Sequence, residues 1–218
     1  EFSIGSTDFS LEEGESESSS ITITNIGDIE SELNYSISTS PFYNTGGSDS
    51  FGNVWTDSNS NEDYDFSWVD ISGLGSLYNF TDNDGAGENI DIGFEFPFYG
   101  ENYNSLIVNA NGWVGFGDDN NAWENSTIPS SSAPRPAIFA LWDDLNPVND
   151  NCNAYCAGNV YYYGDGEKFV VWFDEVAHWW TNFEDSYYDF QVVLYPNGDI
   201  DVNYNSLIGD HDATIGIQ

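Results

Sequence analysis

The chain has 218 residues, of which 38 are acidic and only two, Arg135 and Lys168, are basic, for a formal charge of -36. That charge excludes electrostatic attraction to nucleic acid or to an anionic membrane surface, and no run reaches the ~18 apolar residues of a membrane span. Aromatic residues make up 17% of the chain, too apolar to stay unfolded, so the composition describes a folded, acidic domain that repels itself and gains stability from salt or divalent cations. With neither a signal peptide nor an initiating methionine, it reads as a mature or internal piece of a longer chain.

Residues 1–42 alternate like strands. Glu12-Glu13-Gly14-Glu15 reads as a turn, and residues 19–25 as a strand with Ile21 and Ile23 inward. Gly27-Asp28 turns again, and Leu33, Tyr35 and Ile37 alternate through the next strand. The run FSLEEGESESSSITITNIGDIESELNYSIS resembles the opening half of bacterial immunoglobulin-like modules of secreted proteins. A complete sandwich of that type needs ~100 residues. This partial immunoglobulin-like strand set is therefore expected to be closed by the following domain, by more of a longer chain, or by a neighbouring molecule that donates strands.

Residues 43–63 are rich in Gly, Ser, Asn and Asp and lack periodicity, which predicts a linker or long surface loop anchored to a sheet by Trp55. From residue 64 onward strand signals recur at short spacing, the first two at 66–71 and 77–80. In the stretch 89–116, Phe94, Phe96 and Phe98 occupy every second position, so an extended chain points all three rings to one face. Gly100 ends that run, and Asn111-Gly112 signals a hairpin between 106–110 and 113–116. Further strands are predicted at 137–142, 160–163, 169–173, 187–195, 200–204 and 214–217. No stretch carries a 3.6-residue apolar period, so almost no helix is expected. The fold class is all-β: a β-sandwich or jelly-roll-like domain over residues 64–218.

Within that domain the blocks FSWVDISGLGS, DIGFEFPFYG, NSLIVNANGWVGF, APRPAIFALWDDLNP, GNVYYY, KFVVWFDEV, YDFQVVLYPNGDIDVNY and ATIGIQ follow one another. In that order they resemble the non-catalytic β domain of large secreted and cell-surface proteins of Bacteroidota and relatives. They are distantly similar to the extracellular nidogen-type domain of animal matrix proteins. The resemblance implies an extracellular module, set beside peptidase, adhesin or sorting domains, whose pattern continues with another strand after TIGIQ.

Few constellations carry chemistry. Cys152 and Cys156 form a CxxxC pair with no histidine nearby, a poor zinc site. A local disulfide fits better than free thiols and implies an oxidising compartment. Asp82, Asp84 and Glu88, at positions one, three and seven around Gly85 and Gly87, present oxygens of the kind calcium takes, though without the EF-hand length. The plain alternative is a solvated acidic turn. Weaker clusters are Asn149, Asp150, Asn151 and Asn153, and Asp57, Asp63 and Asp65. Asp143-Asp144 ends an apolar strand, but neighbouring strand residues point to opposite faces. A turn cap beside an exposed or cation-binding acid is thus expected there rather than a glycosidase couple.

His178 and His211 are the only histidines, and neither a nucleophile elbow nor a phosphate loop accompanies them. His178 is expected partly buried against its aromatic neighbours. Trp123, Trp179, Trp180 and Phe183 stand in polar loops, where they either pack or form a platform for sugar rings or a protein partner. Asn34, Asn79 and Asn125 begin glycosylation triplets.

These observations lead to a non-catalytic extracellular structural or adhesive module of a larger secreted or surface protein. Its expected partners are neighbouring domains or other copies of itself, the copies joined by strand exchange into a filament. The alternative is a calcium-assisted carbohydrate-binding module with glycans as partners. A hydrolase comes last, because no base, nucleophile and orienting group can be assembled.

Overall fold

The computed structural model describes residues 45–59, 64–117, 121–180, 185–209 and 212–218. The chain divides into two units, Glu1–Phe42 and Tyr43–Gln218, and all described residues belong to the second. The readings for residues 1–42, Asp63, Phe183 and His211 lie outside them.

Period-two patterning gives twelve strands among the described residues: β1 Thr45–Gly47, β2 Val54–Thr56, β3 Ser76–Tyr78, β4 Ile90–Phe98, β5 Glu101–Asn109, β6 Trp113–Gly115, β7 Ala137–Trp142, β8 Asn159–Gly164, β9 Phe169–Ala177, β10 Tyr187–Leu194, β11 Ile200–Ile208 and β12 Thr214–Ile217. No helix occurs among these residues. Sheet one runs β11-β10-β9-β8-β3 and sheet two β12-β7-β6-β5-β4, every pairing antiparallel. The two sheets stack as a sandwich, with Phe96, Phe98, Leu106, Val108 and Ile138 meeting Val160, Val171, Phe173, Phe190 and Val192 in one core. In β4, Phe96 and Phe98 are buried and Phe94 half-buried, while Asp91, Glu95 and Pro97 stay exposed. Tyr99 and Gly100, both at positive φ (48° and 83°), make the two-residue turn into β5.

The outer face of each sheet is also apolar. Strands β7 and β10 are buried along nearly their whole length rather than at alternate residues. Covers explain this. Over sheet two lies the segment 121–134, which packs Ala122, Ile128 and Ala133 against Ile107, Trp113, Phe139 and Trp142. Both indole N–H groups, of Trp113 and Trp142, donate to the Ala122 carbonyl. Over sheet one lies the segment 67–71, where Ile71 and Val69 pack on Val170, Val193 and Trp172.

That segment was expected to be a strand and is not one. It crosses the sheet as extended chain, held by side-chain amides in place of a ladder. Val69 N–H donates to Gln191 Oε1 (3.1 Å), Gln191 Nε2 donates to the Val69 carbonyl (2.7 Å), and Asn203 Nδ2 donates to the Ser67 carbonyl. An alternating apolar pattern cannot tell a strand from a strap, because both bury every second side chain.

Two smaller expectations also change. Residues 43–63 contain the β1–β2 hairpin, and Trp55 does not anchor it to a sheet: its ring lies across Gly46 of the paired strand and is 58% exposed. Phe51, itself mostly exposed, makes a ring contact to the sandwich, meeting Tyr99 edge-on at 5.0 Å. Ala110 belongs to the turn, not the strand, since Asn109 pairs directly with Trp113.

Gln191 is fully buried, so replacing it leaves two strap groups without partners. Gln191→Leu is expected to lower unfolding free energy by about 2 kcal/mol and to open residues 64–72 to proteolysis; urea titration and limited digestion check both.

Candidate functional site

Polar side chains concentrate at one end of the sandwich, where the connections after β3, β5, β7 and β9 meet. The hub is the β5–β6 turn. Gly112 sits at φ 80°, and a Cβ there would meet the Leu141 carbonyl, so the turn needs glycine. Asn109 and Asn111 are fully buried. Asn109 Nδ2 donates to the Asp84 carbonyl and Asn111 Nδ2 to the Asn83 carbonyl, while Asn111 Oδ1 accepts Leu145 N–H. One turn thus holds the 82–88 loop on one side and the Asp143–Asn146 turn on the other. The composition pointed to the carboxylates, whereas the residues that organise this end are asparagines. The only sequence signal for them is the Asn111-Gly112 pair itself.

The carboxylates divide by role. Asp82 Oδ1 accepts the N–H groups of Asp84 and Gly85, closing the loop on itself. Asp84 accepts Asn83 Nδ2; burial and the Asp82 charge raise its carboxyl against the Asn111 and Asn83 contacts. Glu88 is exposed, and its backbone carbonyl, not its carboxylate, is fixed, by the Tyr78 hydroxyl at 2.8 Å. That hydroxyl also accepts Val108 N–H, tying sheet one to sheet two. Among the described residues no group of three or more His, Cys, Asp and Glu side chains is placed to hold a metal ion.

Asp143 is 4% exposed and its Oδ1 accepts Asp144 N–H. The same oxygen lies 3.6 Å from His178 Nε2, an ion-pair rather than a hydrogen-bond distance. Burial disfavours the Asp143 charge, but the His178 contact and the Asp144 N–H outweigh it and lower its carboxyl. His178 is raised by Asp143 against its own burial, and its Nδ1, facing the Trp179 carbonyl at 2.9 Å, carries the proton. Each member of the pair thus favours the charged form of the other. Asp144 behaves oppositely. Burial first, then the Asp84 charge, push it up to about 6 against the pull of His178.

Cys152 and Cys156 form a disulfide, with Cα atoms 5.4 Å apart. Residues near it tie back to the connections after β3 and β7: Asp150 N–H to the Phe80 carbonyl, Asn151 Nδ2 to the Thr81 carbonyl, and Ala157 N–H to the Asn146 carbonyl. Trp179 and Trp180 follow β9 at this same end. Trp123, grouped with them by sequence, lies in the cover of sheet two. Of the described glycosylation triplets, Asn79 is exposed, while Asn125 Nδ2 is tied to the Asp212 carbonyl.

Residues 57–218 match the family described as NIDO related. No curated protein and no solved structure matches the chain.

Two substitutions check these assignments. Asp82→Ala is expected to cost about 1 kcal/mol through loss of its turn, and Asp82→Asn, which keeps the acceptor oxygen, much less; urea unfolding measures both. Because the Asp144 carboxyl is raised, the fold retains its proton where the unfolded chain has lost it, and stability falls as pH climbs from about 4 to 6. Asp144→Asn should remove its share of that slope and leave the share of Asp174, which is likewise raised to about 6. At pH 7 the variant is expected to be more stable than wild type by on the order of 1 kcal/mol after discounting for solvent screening, and at pH 3 equal to it, as followed by thermal melts across pH.

Proposed function

The chain belongs to the NIDO-related family through residues 57–218, and on that footing we propose that it works outside the cell as a non-catalytic structural or adhesive module of a larger secreted or surface protein. The Cys152–Cys156 disulfide carries this reading, because such bonds persist in oxidising compartments and are rare where thiols are kept reduced. The geometry of the loop end agrees with a scaffolding role. Asn109, Asn111 and Asp82 spend their polar atoms on backbone groups of neighbouring loops. The single described histidine faces a carboxylate and a carbonyl rather than a nucleophile.

The same reading extends to assembly. The strand-like alternation of residues 1–42 supplies apolar segments short of a complete sandwich, and a strand accepted from the next copy completes such a set. Each copy carries a charge of -36, so contact between copies depends on apolar burial and on salt or divalent cations that screen the repulsion.

Two measurements test this. Antibody against the folded domain should label intact cells, and internal-only labelling overturns the extracellular assignment. Electron micrographs of the purified chain at high salt or with Ca²⁺ should show filaments, and a chain lacking residues 1–42 should give discrete particles. Discrete particles from the full chain under all these conditions defeat strand exchange.

A further inference from the structure

Three aromatic rings stand together at the loop end. The Trp179 and Trp180 ring centroids are 5.2 Å apart with planes at 74°, and Tyr155 lies 5.3 Å from Trp180 at 60°. Fixed backbone presents all three. Tyr155 sits inside the loop that the Cys152–Cys156 disulfide closes. Trp179 N–H donates to the Asp144 carbonyl at 2.8 Å, and the Trp179 carbonyl accepts His178 Nδ1. Trp180 is held at φ 58°, an uncommon conformation for so bulky a residue, and is 65% exposed. Trp180 thus displays an apolar ring to water beside two part-buried ones.

The ring geometry decides what it binds. A sugar lies on a flat aromatic face or on several rings in one plane. Here the planes are steeply inclined and the rings meet edge-on, so the corner offers no flat platform, and the open face of Trp180 suits a positive charge. Electrostatics point the same way. A chain with 38 acidic and two basic residues attracts cations over its whole surface, the corner included.

His178, the charged side chain beside the corner, is paired with Asp143, and the protein's Lys and Arg side chains are placed elsewhere. Arg135 donates to the Ser131 carbonyl near the cover of sheet two. Lys168 pairs with Asp165 at 3.6 Å, before the opposite end of β9. A nine-residue strand spans about 30 Å, some three Debye lengths at ordinary ionic strength. A second copy brings no basic segment either, since it has the same two cations.

We propose that the Tyr155–Trp179–Trp180 corner is a docking site for arginine or lysine side chains on a basic segment of a different protein. This rests on the reading of the domain as an adhesive module and names the chemistry of what it adheres to.

The test is calorimetric titration with a peptide rich in arginine and with its citrulline counterpart, in about 0.5 M NaCl, where charges interact only within roughly 4 Å. The arginine peptide should bind and the neutral citrulline peptide should not. Trp180→Ala should weaken binding about tenfold, Trp180→Phe should retain most of it, and Trp123→Ala should leave it unchanged. Tyr155→Ala gives an independent reading if Trp180→Ala melts early. Equal binding by wild type and both alanine variants overturns the proposal, as that is diffuse attraction to an acidic surface. Trp180-dependent binding of a neutral oligosaccharide, with none of the peptide, overturns it in favour of a sugar platform. Either result leaves the cell-labelling and filament tests unaffected, so the two readings fail separately.

Discussion

A β-sheet that is apolar on both faces has to be covered twice, and this requirement shapes the domain. The two sheets cover each other on the inside. Outside, strands such as β7, AIFALW, leave no polar face for water, so chain must be laid over them. Covers of irregular chain bring backbone N–H and carbonyl groups onto an apolar surface, where each needs a partner. The partners come from side chains of the sheets themselves: the Gln191 amide for the cover of sheet one, and two tryptophan indoles for that of sheet two. This arrangement also accounts for the aromatic content. Two outer layers, each under a single thickness of chain, need large side chains to fill them.

Polar chemistry is thereby confined to the connections. At the loop end, asparagines organise and carboxylates follow. Asn is suited to the hub because one side chain both donates and accepts without bringing a charge into the interior. The charges that are present pair off unevenly. Asp143 has His178, whereas Asp144 and, on sheet one, Asp174 sit part-buried near other acids and are each pushed up to about 6. A chain with two basic residues cannot give every part-buried acid a partner, and its stability consequently responds to pH below neutrality.

The strands and their class were legible in the residues because period-two alternation and turn signals are local. Phe96 and Phe98 face the core, and Gly100 and Gly112 turn. What was not legible depends on partners distant in the chain. Residues 66–71 have the pattern of a strand, and only the amides of Gln191 and Asn203, more than 120 positions further on, make them a strap. The acids of 82–88 drew attention as a calcium loop by their spacing around Gly85 and Gly87. The pairing of Asn109 and Asn111 with that loop's carbonyls carried no compositional signal. Trp179 and Trp180 were visible as exposed aromatics, but Tyr155 was not, because a disulfide loop and a strand end had to meet before the three rings formed one surface.

The strap has a kinetic consequence. Val69 meets Gln191 across 122 positions, and β12 returns to β7 after four intervening strands. Contacts of such long range make folding slow. A chain emerging from its N-terminal side presents β4 to β7, with their apolar surfaces bare, well before β8 to β12 exist to cover them. Such species are prone to aggregate. Uniform negative charge acts throughout that interval, since acidic chains repel one another whether or not they have folded. The acidic surplus therefore weakens the finished fold through self-repulsion while keeping its slow-forming precursors apart.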